Sequence, residues 1–280
     1  MTPPDVSDVH TFDPFAKEPA YIHVNEKLID RVMKHLAGVK AIRLLELAAG
    51  TGLPTALMYK RAREAGIKLV ATLLDLDLPA LFQAKIEVDE SNATYVYGSA
   101  DALPFDSQEY DAVFFANGLH LLDGDAKKSA LKESYRVLKA GGLFAMNTTF
   151  YDGAYPEESK PFYGRWIRRS IVEINQRLPK RDKGEKVQAM EFLTADNYRD
   201  LLNDAGFKIL ESRERRVLLS QAAVRAISSY KDFAMGALHA TEEDAEEAAK
   251  ALQATVKQTF HDLQMKYLPR TWLEIIAVKA

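Results

Sequence analysis

Apolar residues in the first half of the chain fall into short runs separated by amphipathic stretches. Ala41–Leu47 (AIRLLEL) and Lys68–Leu74 (KLVATLL) are nearly continuous apolar runs, and Ala93–Tyr97, Asp111–Ala116 (DAVFFA) and Leu143–Phe150 repeat the signal. Between them, Thr55–Ala65, Pro79–Glu87 and Ala126–Lys139 carry helix formers. Pro54 stands where a first helical turn accepts proline, and Gly141-Gly142 marks the expected stop of the third helix. Strands apolar on both faces, alternating with helices, predict a parallel sheet covered on both sides, an α/β fold.

The second half reads differently. Tyr151–Met190 is rich in Tyr, Pro and Arg, with one helix predicted over Phe162–Leu178. A helix over Ala195–Ala205 is ended by Gly206, and Phe207–Leu218 follows as a strand. Gln221–Leu268 reads as almost wholly helical, with Thr241-Glu242-Glu243-Asp244 as a capping start, before a last strand at Thr271–Lys279 (TWLEIIAVK). The chain is therefore expected to form a single domain over 1–280. Its core would lie at about 35–150, 190–217 and 270–280, with an N-terminal cap over 1–34 and inserts 151–190 and 220–269 forming a lid.

Composition narrows the function. A chain of 280 residues, 47% hydrophobic and 28% charged, can bury a substantial core. Its formal net charge of −3 gives no electrostatic reason to expect nucleic acid as a partner. Cysteine is absent, which excludes disulfides, thiolate metal sites and a cysteine nucleophile and fits a reducing compartment. No metal site is expected. The segment Met1–Lys17 lacks the basic-then-apolar pattern of a signal peptide, and no apolar run reaches the roughly 18 residues of a membrane span. A cytoplasmic protein without a membrane span is expected.

Ligands of an open α/β sheet bind beyond the carboxyl ends of its strands. The first strand runs into Glu46-Leu47-Ala48-Ala49-Gly50-Thr51-Gly52, whose small residues let backbone approach a ligand. The second ends at Asp75, a carboxylate suited to both hydroxyls of a ribose. The third leads into Gly98-Ser99-Ala100-Asp101, and the fourth into Asn117-Gly118-Leu119-His120. A nicotinamide-dependent dehydrogenase would need a third glycine where Thr55 stands. The Tyr135-x-x-x-Lys139 pair lies on an amphipathic helix where core packing explains it, and no phosphate-binding Gly-Lys-Ser/Thr loop is present.

Taken together, LLELAAGTG, LLDLD, GSADALPF, YDAVFFANGLHLL, SYRVLKAGGLFAMNTT and NYRDLLNDAGFKIL resemble the motifs of class I S-adenosylmethionine-dependent methyltransferases, in particular the small-molecule branch. The resemblance implies a doubly wound, Rossmann-like, seven-stranded and mostly parallel sheet, its last strand antiparallel between the fifth and sixth. It implies S-adenosyl-L-methionine as cofactor and S-adenosyl-L-homocysteine as product. Glu46 and the backbone around Ala48 and Gly50, with Gly52 in the same loop, would hold the methionyl part. Asp75 would take the ribose and Leu76 one face of the adenine. The Ala100 N–H would meet the ring edge. Ser99 stands where the family usually has Asp, so Asp101 would serve the exocyclic amine. Ala116 and Asn117 would face the methionyl amine, and Tyr21, near His23, would close over the cofactor.

A sulfonium methyl is already activated, so the main task is in-line placement of the acceptor, with a base needed only if the nucleophile must lose a proton. His120 is a candidate for that base or for a pocket wall; Tyr151, Asp152 and Tyr155 are candidates to reach the acceptor. The Arg165-Trp166-Ile167-Arg168-Arg169 run reads as a basic patch for phosphate or nucleic acid, or as a solvated helix face beside a buried Trp166 and Ile167. The expected partner is a small or medium-sized organic acceptor methylated on oxygen, nitrogen or carbon; the oligomeric state stays open. The competing readings are a cofactor-binding protein without methylation and an aminopropyl-transferring relative.

Overall fold

The computed structural model describes residues 12–184 and 191–280. The expected cap and first insert run partly through 1–11 and 185–190, which lie outside the described residues. After a short helix α1 (Asp13–Ala16) and a long one, α2 (Pro19–His35), the chain enters β1 (Ala41–Leu47), buried on both faces from Leu44 onward. β2 (Lys68–Asp75) and β3 (Ala93–Tyr97) extend the sheet from one side of β1; β4 (Tyr110–Ala116) and β5 (Leu138–Thr148) extend it from the other, all in parallel. β7 (Leu268–Lys279) runs antiparallel between β5 and β6 (Phe207–Leu219), giving the order β3-β2-β1-β4-β5-β7-β6. The strand order reverses between β1 and β4, which is where an open sheet leaves a crevice at its carboxyl edge.

Alternation along the strands divides the core. Leu44 and Phe114 pack with Leu28 and Ile29 of α2, Met58 of α3 (Leu53–Glu64) and Ala84 of α4 (Leu78–Val88). Their neighbours Leu45 and Phe115 face the other way, against Leu131 of α5 (Gly124–Val137) and Leu202 of α7 (Ala195–Asp204). The β6–β7 ladder continues to Leu219↔Leu268, whereas β5 joins β7 only across Leu273–Val278. The overshooting ribbon carries α8 (Gln221–Ile227), α9 (Lys231–Leu238) and α10 (Ala245–Asp262). With α6 (Lys160–Arg177), α1 and the start of α2, these helices bury a third core around Trp166, Phe233, Leu252, Phe260 and Trp272. The two inserts are thus one layer: Trp166 Nε1 donates to the Leu252 carbonyl (3.0 Å), and the Ser170 and Thr255 hydroxyls lie 2.7 Å apart.

Several elements depart from expectation for identifiable reasons. α5 stops at Val137 rather than at Gly141-Gly142, because Leu138 is already extended and paired with Tyr110; the glycines sit in an irregular stretch of β5. Gln221–Leu268 breaks into three helices, with His239 in the left-handed region (φ +50°) between α9 and α10. Thr241 opens a turn rather than a helix, its hydroxyl accepting from the Asp244 N–H at 3.4 Å, and α10 begins only at Ala245. Trp166 is wholly buried and Arg169 pairs with Asp262, so the basic run is a solvated helix face. Tyr135 packs edge-on against Phe207 and Lys139 pairs with Asp111 at 2.7 Å, both at the amino end of β5. Among the described residues no helix is long and apolar enough to cross a membrane.

Candidate functional site

The carboxyl ends of β1, β2 and β4 open into a cavity of about 970 Å³. Its floor is backbone in unusual conformation. Ala48 (φ +48°), Gly50 (φ +53°) and Asn117 (φ +51°) are left-handed, a state costing about 1–2 kcal/mol for a residue with a Cβ and tolerated best by Asn. The loops after β1 and β4 press together here: a Cβ on Gly118 would lie 2.6 Å from that of Ala48. Small residues at these positions are therefore a condition for the two strand ends to meet.

Two carboxylates stand in this floor. Glu46 is buried and accepts from both the N–H (3.0 Å) and the hydroxyl of Thr55, which faces it from α3. Burial pushes its pKa up to about 8 against the opposing pull of the Thr55 hydrogen bonds. No cationic side chain is within ion-pair distance of it among the described residues. Asp75 accepts from the Gly50 N–H (2.7 Å) through Oδ2 and from the Asp77 N–H (2.9 Å) through Oδ1, tying the end of β2 to the β1 loop. Asp77 caps α4 through the Ala80 N–H at 3.0 Å.

Of the expected site residues, Tyr21, Glu46, Ala48, Gly50, Asp75, Leu76, Ala116, Asn117 and His120 all line this cavity. Tyr21 is linked to the floor through α2: Asn25 donates to the Tyr21 carbonyl (3.0 Å) and accepts from Asn147 (2.9 Å), whose own carbonyl receives the Asn117 N–H (2.8 Å). His120 is buried, stacks on Phe150 at 4.1 Å, and has Nδ1 3.4 Å from the Thr148 hydroxyl. Burial first, then the charges of Lys127 and Arg270, lower its pKa to about 3, so it is a neutral ring at working pH.

Several expected residues are not brought to the cavity. A Cβ on Gly52 would meet Val88, Leu73 and Ala84 within 3.2 Å, so this glycine serves the packing of α3 and α4 on the sheet. Ser99, Ala100 and Asp101 lie outside the lining, the first and last hydrogen-bonded to each other, while Tyr97 borders it. Tyr151 is fully buried below β5 with its hydroxyl donating to Glu214 (3.1 Å), so it faces the core and not an acceptor. Asp152 and His23 are solvent-exposed.

The sequence predicts a cap over 1–34 and a lid from the inserts, but singles out only Tyr21 among the residues that border the cavity from those segments. Phe12, Ala16 and, from the second insert, Tyr230, Lys231, Asp232 and Glu246 also line the cavity. Phe12 packs edge-on against both Tyr21 and Tyr230, each at 5.3 Å, joining three distant segments. A hydrophobic spacing Tyr21–Val24–Leu28–Val32 signals α2, but Tyr230 stands in no motif. Among the described residues no group of His, Cys, Asp and Glu could hold a metal ion.

Comparison with known proteins agrees with this architecture. The family model for the methyltransferase domain matches residues 44–142. A ubiquinone/menaquinone biosynthesis C-methyltransferase of Rickettsia felis is 30% identical over 196 residues, covering 67% of this chain and 75% of the relative. Among solved structures, a candidate methyltransferase of Bacillus halodurans superposes with a TM-score of 0.57 at 16% identity, covering 90% of this chain and 98% of that one. A Haemonchus contortus phospholethanolamine N-methyltransferase, solved with S-adenosylhomocysteine, gives 0.51 at 16% identity, covering 96% of this chain and 60% of that one.

Proposed function

Since the chain belongs to the class I S-adenosylmethionine-dependent methyltransferases and methylates a small-molecule acceptor, we propose that the 970 Å³ cavity holds the cofactor across the ends of β1, β2 and β4. The observation that carries this reading is Glu46, a buried carboxylate with no cation within ion-pair distance among the described residues, in a cavity that Asp75 also lines. An ammonium group is the partner that such a site lacks, and the methionyl amine supplies it; the Asn117 backbone, held by Asn147, borders the same end. Asp75 exchanges its hold on backbone N–H groups for the ribose hydroxyls. Leu76, 56% exposed yet lining the cavity, offers an apolar face to the adenine. Tyr97 replaces Ser99 and Asp101 at that end.

When bound, the cofactor supplies a methyl group activated on a positive sulfur. The protein's own work is positioning. The roof built from α1, α9 and α10 acts as a lid, with Phe12, Tyr21 and Tyr230 excluding water. His120 lines the site as a neutral ring; with a pKa lowered to about 3 it has little affinity for a proton taken from a nucleophile. The Rickettsia felis relative is named a C-methyltransferase, which supports a carbon acceptor here as well.

The Asp75→Ala variant tests the cofactor assignment. Charge-assisted hydrogen bonds to two hydroxyls are worth on the order of 2–3 kcal/mol. Calorimetric titration with S-adenosylhomocysteine is expected to show affinity reduced about 30- to 150-fold with the far-ultraviolet circular dichroism unchanged. Unchanged affinity in a folded variant contradicts the assignment.

A further inference from the structure

We propose that Arg270 is the anchor for an ionised oxygen on the methyl acceptor, held in a second, aromatic-walled cavity behind Phe150; this rests on the cofactor occupying the larger one. The second cavity is walled by Phe150, Tyr163, Trp166, Phe233 and Trp272, with Arg270 the charged group in its lining. It adjoins the first: Asn117 lines both, and the stacked pair His120–Phe150 forms the partition, each ring facing one side. In the present conformation its volume is about 30 Å³, room for a single water. An organic acceptor therefore enters as α8 and α9, which supply Val224, Ile227 and Phe233, shift outward.

The case turns on what surrounds Arg270, which is 4% exposed. Nε donates to the Thr149 hydroxyl (2.8 Å), Nη2 to the Thr149 carbonyl (2.7 Å) and Nη1 to the Tyr163 hydroxyl (3.3 Å). The guanidinium also lies 3.7 Å over the ring of Tyr155. These partners are all neutral. No carboxylate comes within ion-pair distance among the described residues. The other buried arginine, Arg31, is treated in the opposite way: Glu274 and Glu211 both pair with it. A buried cation without a counter-ion is costly, and an aromatic face compensates it only in part. A neutral side chain would hold Thr149 and Tyr163 as well. The charge without a counter-ion, set in an aromatic box beside the methyl-transfer cavity, selects a ring-bearing carboxylate or phenolate.

The chain's two tryptophans, Trp166 and Trp272, both wall this cavity, so their emission reports entry of a ligand. The test uses the full chain saturated with S-adenosylhomocysteine and titrated calorimetrically with 3-phenylpropionate and, above its own pKa, 4-nitrophenolate. Their neutral counterparts, 3-phenylpropionamide and 4-nitrotoluene, run in parallel. At least one anion is expected to bind about 30-fold more tightly than its neutral counterpart, and which one does so separates carboxylate from phenolate. With 3-phenylpropionate, which absorbs little at the red edge of tryptophan excitation, binding is accompanied by a change in tryptophan emission. In Arg270→Gln the preference falls to within about threefold, and in Arg270→Lys, which keeps the charge but loses the fork, it is intermediate. Equal binding of anion and neutral analogue by the native protein overturns the proposal, as does an anion preference that survives in Arg270→Gln. Should Arg270→Gln fail to fold, the native comparison and Arg270→Lys decide. Failure of S-adenosylhomocysteine itself to bind counts instead against the reading of the larger cavity.

Discussion

Glu46 and His120 both line the cavity, with pKa values displaced in opposite directions, up to about 8 and down to about 3. Because the folded value of Glu46 lies above its unfolded one, its contribution to stability is complete below about 4.5 and is lost as pH rises through about 8. His120 is depressed, so its contribution is intact above about 6.5 and is lost as pH falls toward about 3. The protonated state of Glu46 also makes cofactor binding a proton-linked event. At neutral pH, an ammonium placed beside Glu46 drives its ionisation, so S-adenosylmethionine binding is expected to release close to one proton. Calorimetry in buffers of different ionisation enthalpy reads that number directly, and a value near zero removes Glu46 from the methionyl end. For His120→Ala the expected outcome is a rate loss under about tenfold and an unchanged pH profile through neutrality. A loss of about 100-fold with disappearance of a neutral limb would restore it as a base. At this scale the strand-end motifs were informative for Glu46, Asp75 and Asn117, which line the cavity, and not for Ser99, Ala100 and Asp101 after the third strand, which do not. The sequence was misleading for Tyr151, because position just past a strand says nothing about which way a side chain turns.

The β6–β7 ribbon organises the second half of the molecule, since its overshoot beyond the sheet is what suspends α8, α9 and α10 over the strand ends. Two tyrosines four residues apart distinguish support from recognition. Tyr151 is sealed in the core below β5, whereas Tyr155 is half-buried and stacks under Arg270. Tyr151→Ala is expected to cost about 3–5 kcal/mol in urea unfolding, as truncation of a buried aromatic does, with little change in KM for the stably folded fraction. Tyr155→Ala is expected to raise the acceptor's KM while leaving cofactor affinity unchanged. A stable Tyr151→Ala, or a Tyr155→Ala that binds cofactor poorly and acceptor normally, contradicts this division. β1, β2 and β4 were legible because strands buried on both faces advertise themselves as continuous apolar runs, whereas β3, an edge strand with no buried residue, showed only as a short run of strand formers. The helices of the second insert were legible only as helix-forming composition; no glycine or proline stands at their breaks, near Tyr230 and at His239, where the chain turns left-handed.

For the whole molecule, the account requires that segments distant in sequence, α1 with α2 at one end and α9 with α10 near the other, converge on one ligand. A ligand held by all of them stabilises the entire fold and not one part of it. At a concentration of about 100 times Kd, binding to the folded state alone adds about 2.7 kcal/mol, which for a chain of this size raises Tm by roughly 5–10 °C. Thermal unfolding of the full chain with S-adenosylmethionine, with S-adenosylhomocysteine and with NAD or NADP is therefore the most direct measurement. The account predicts a single transition displaced upward by that amount with the first two and unmoved by the nicotinamide cofactors. Displacement by NAD but not by S-adenosylmethionine would contradict it.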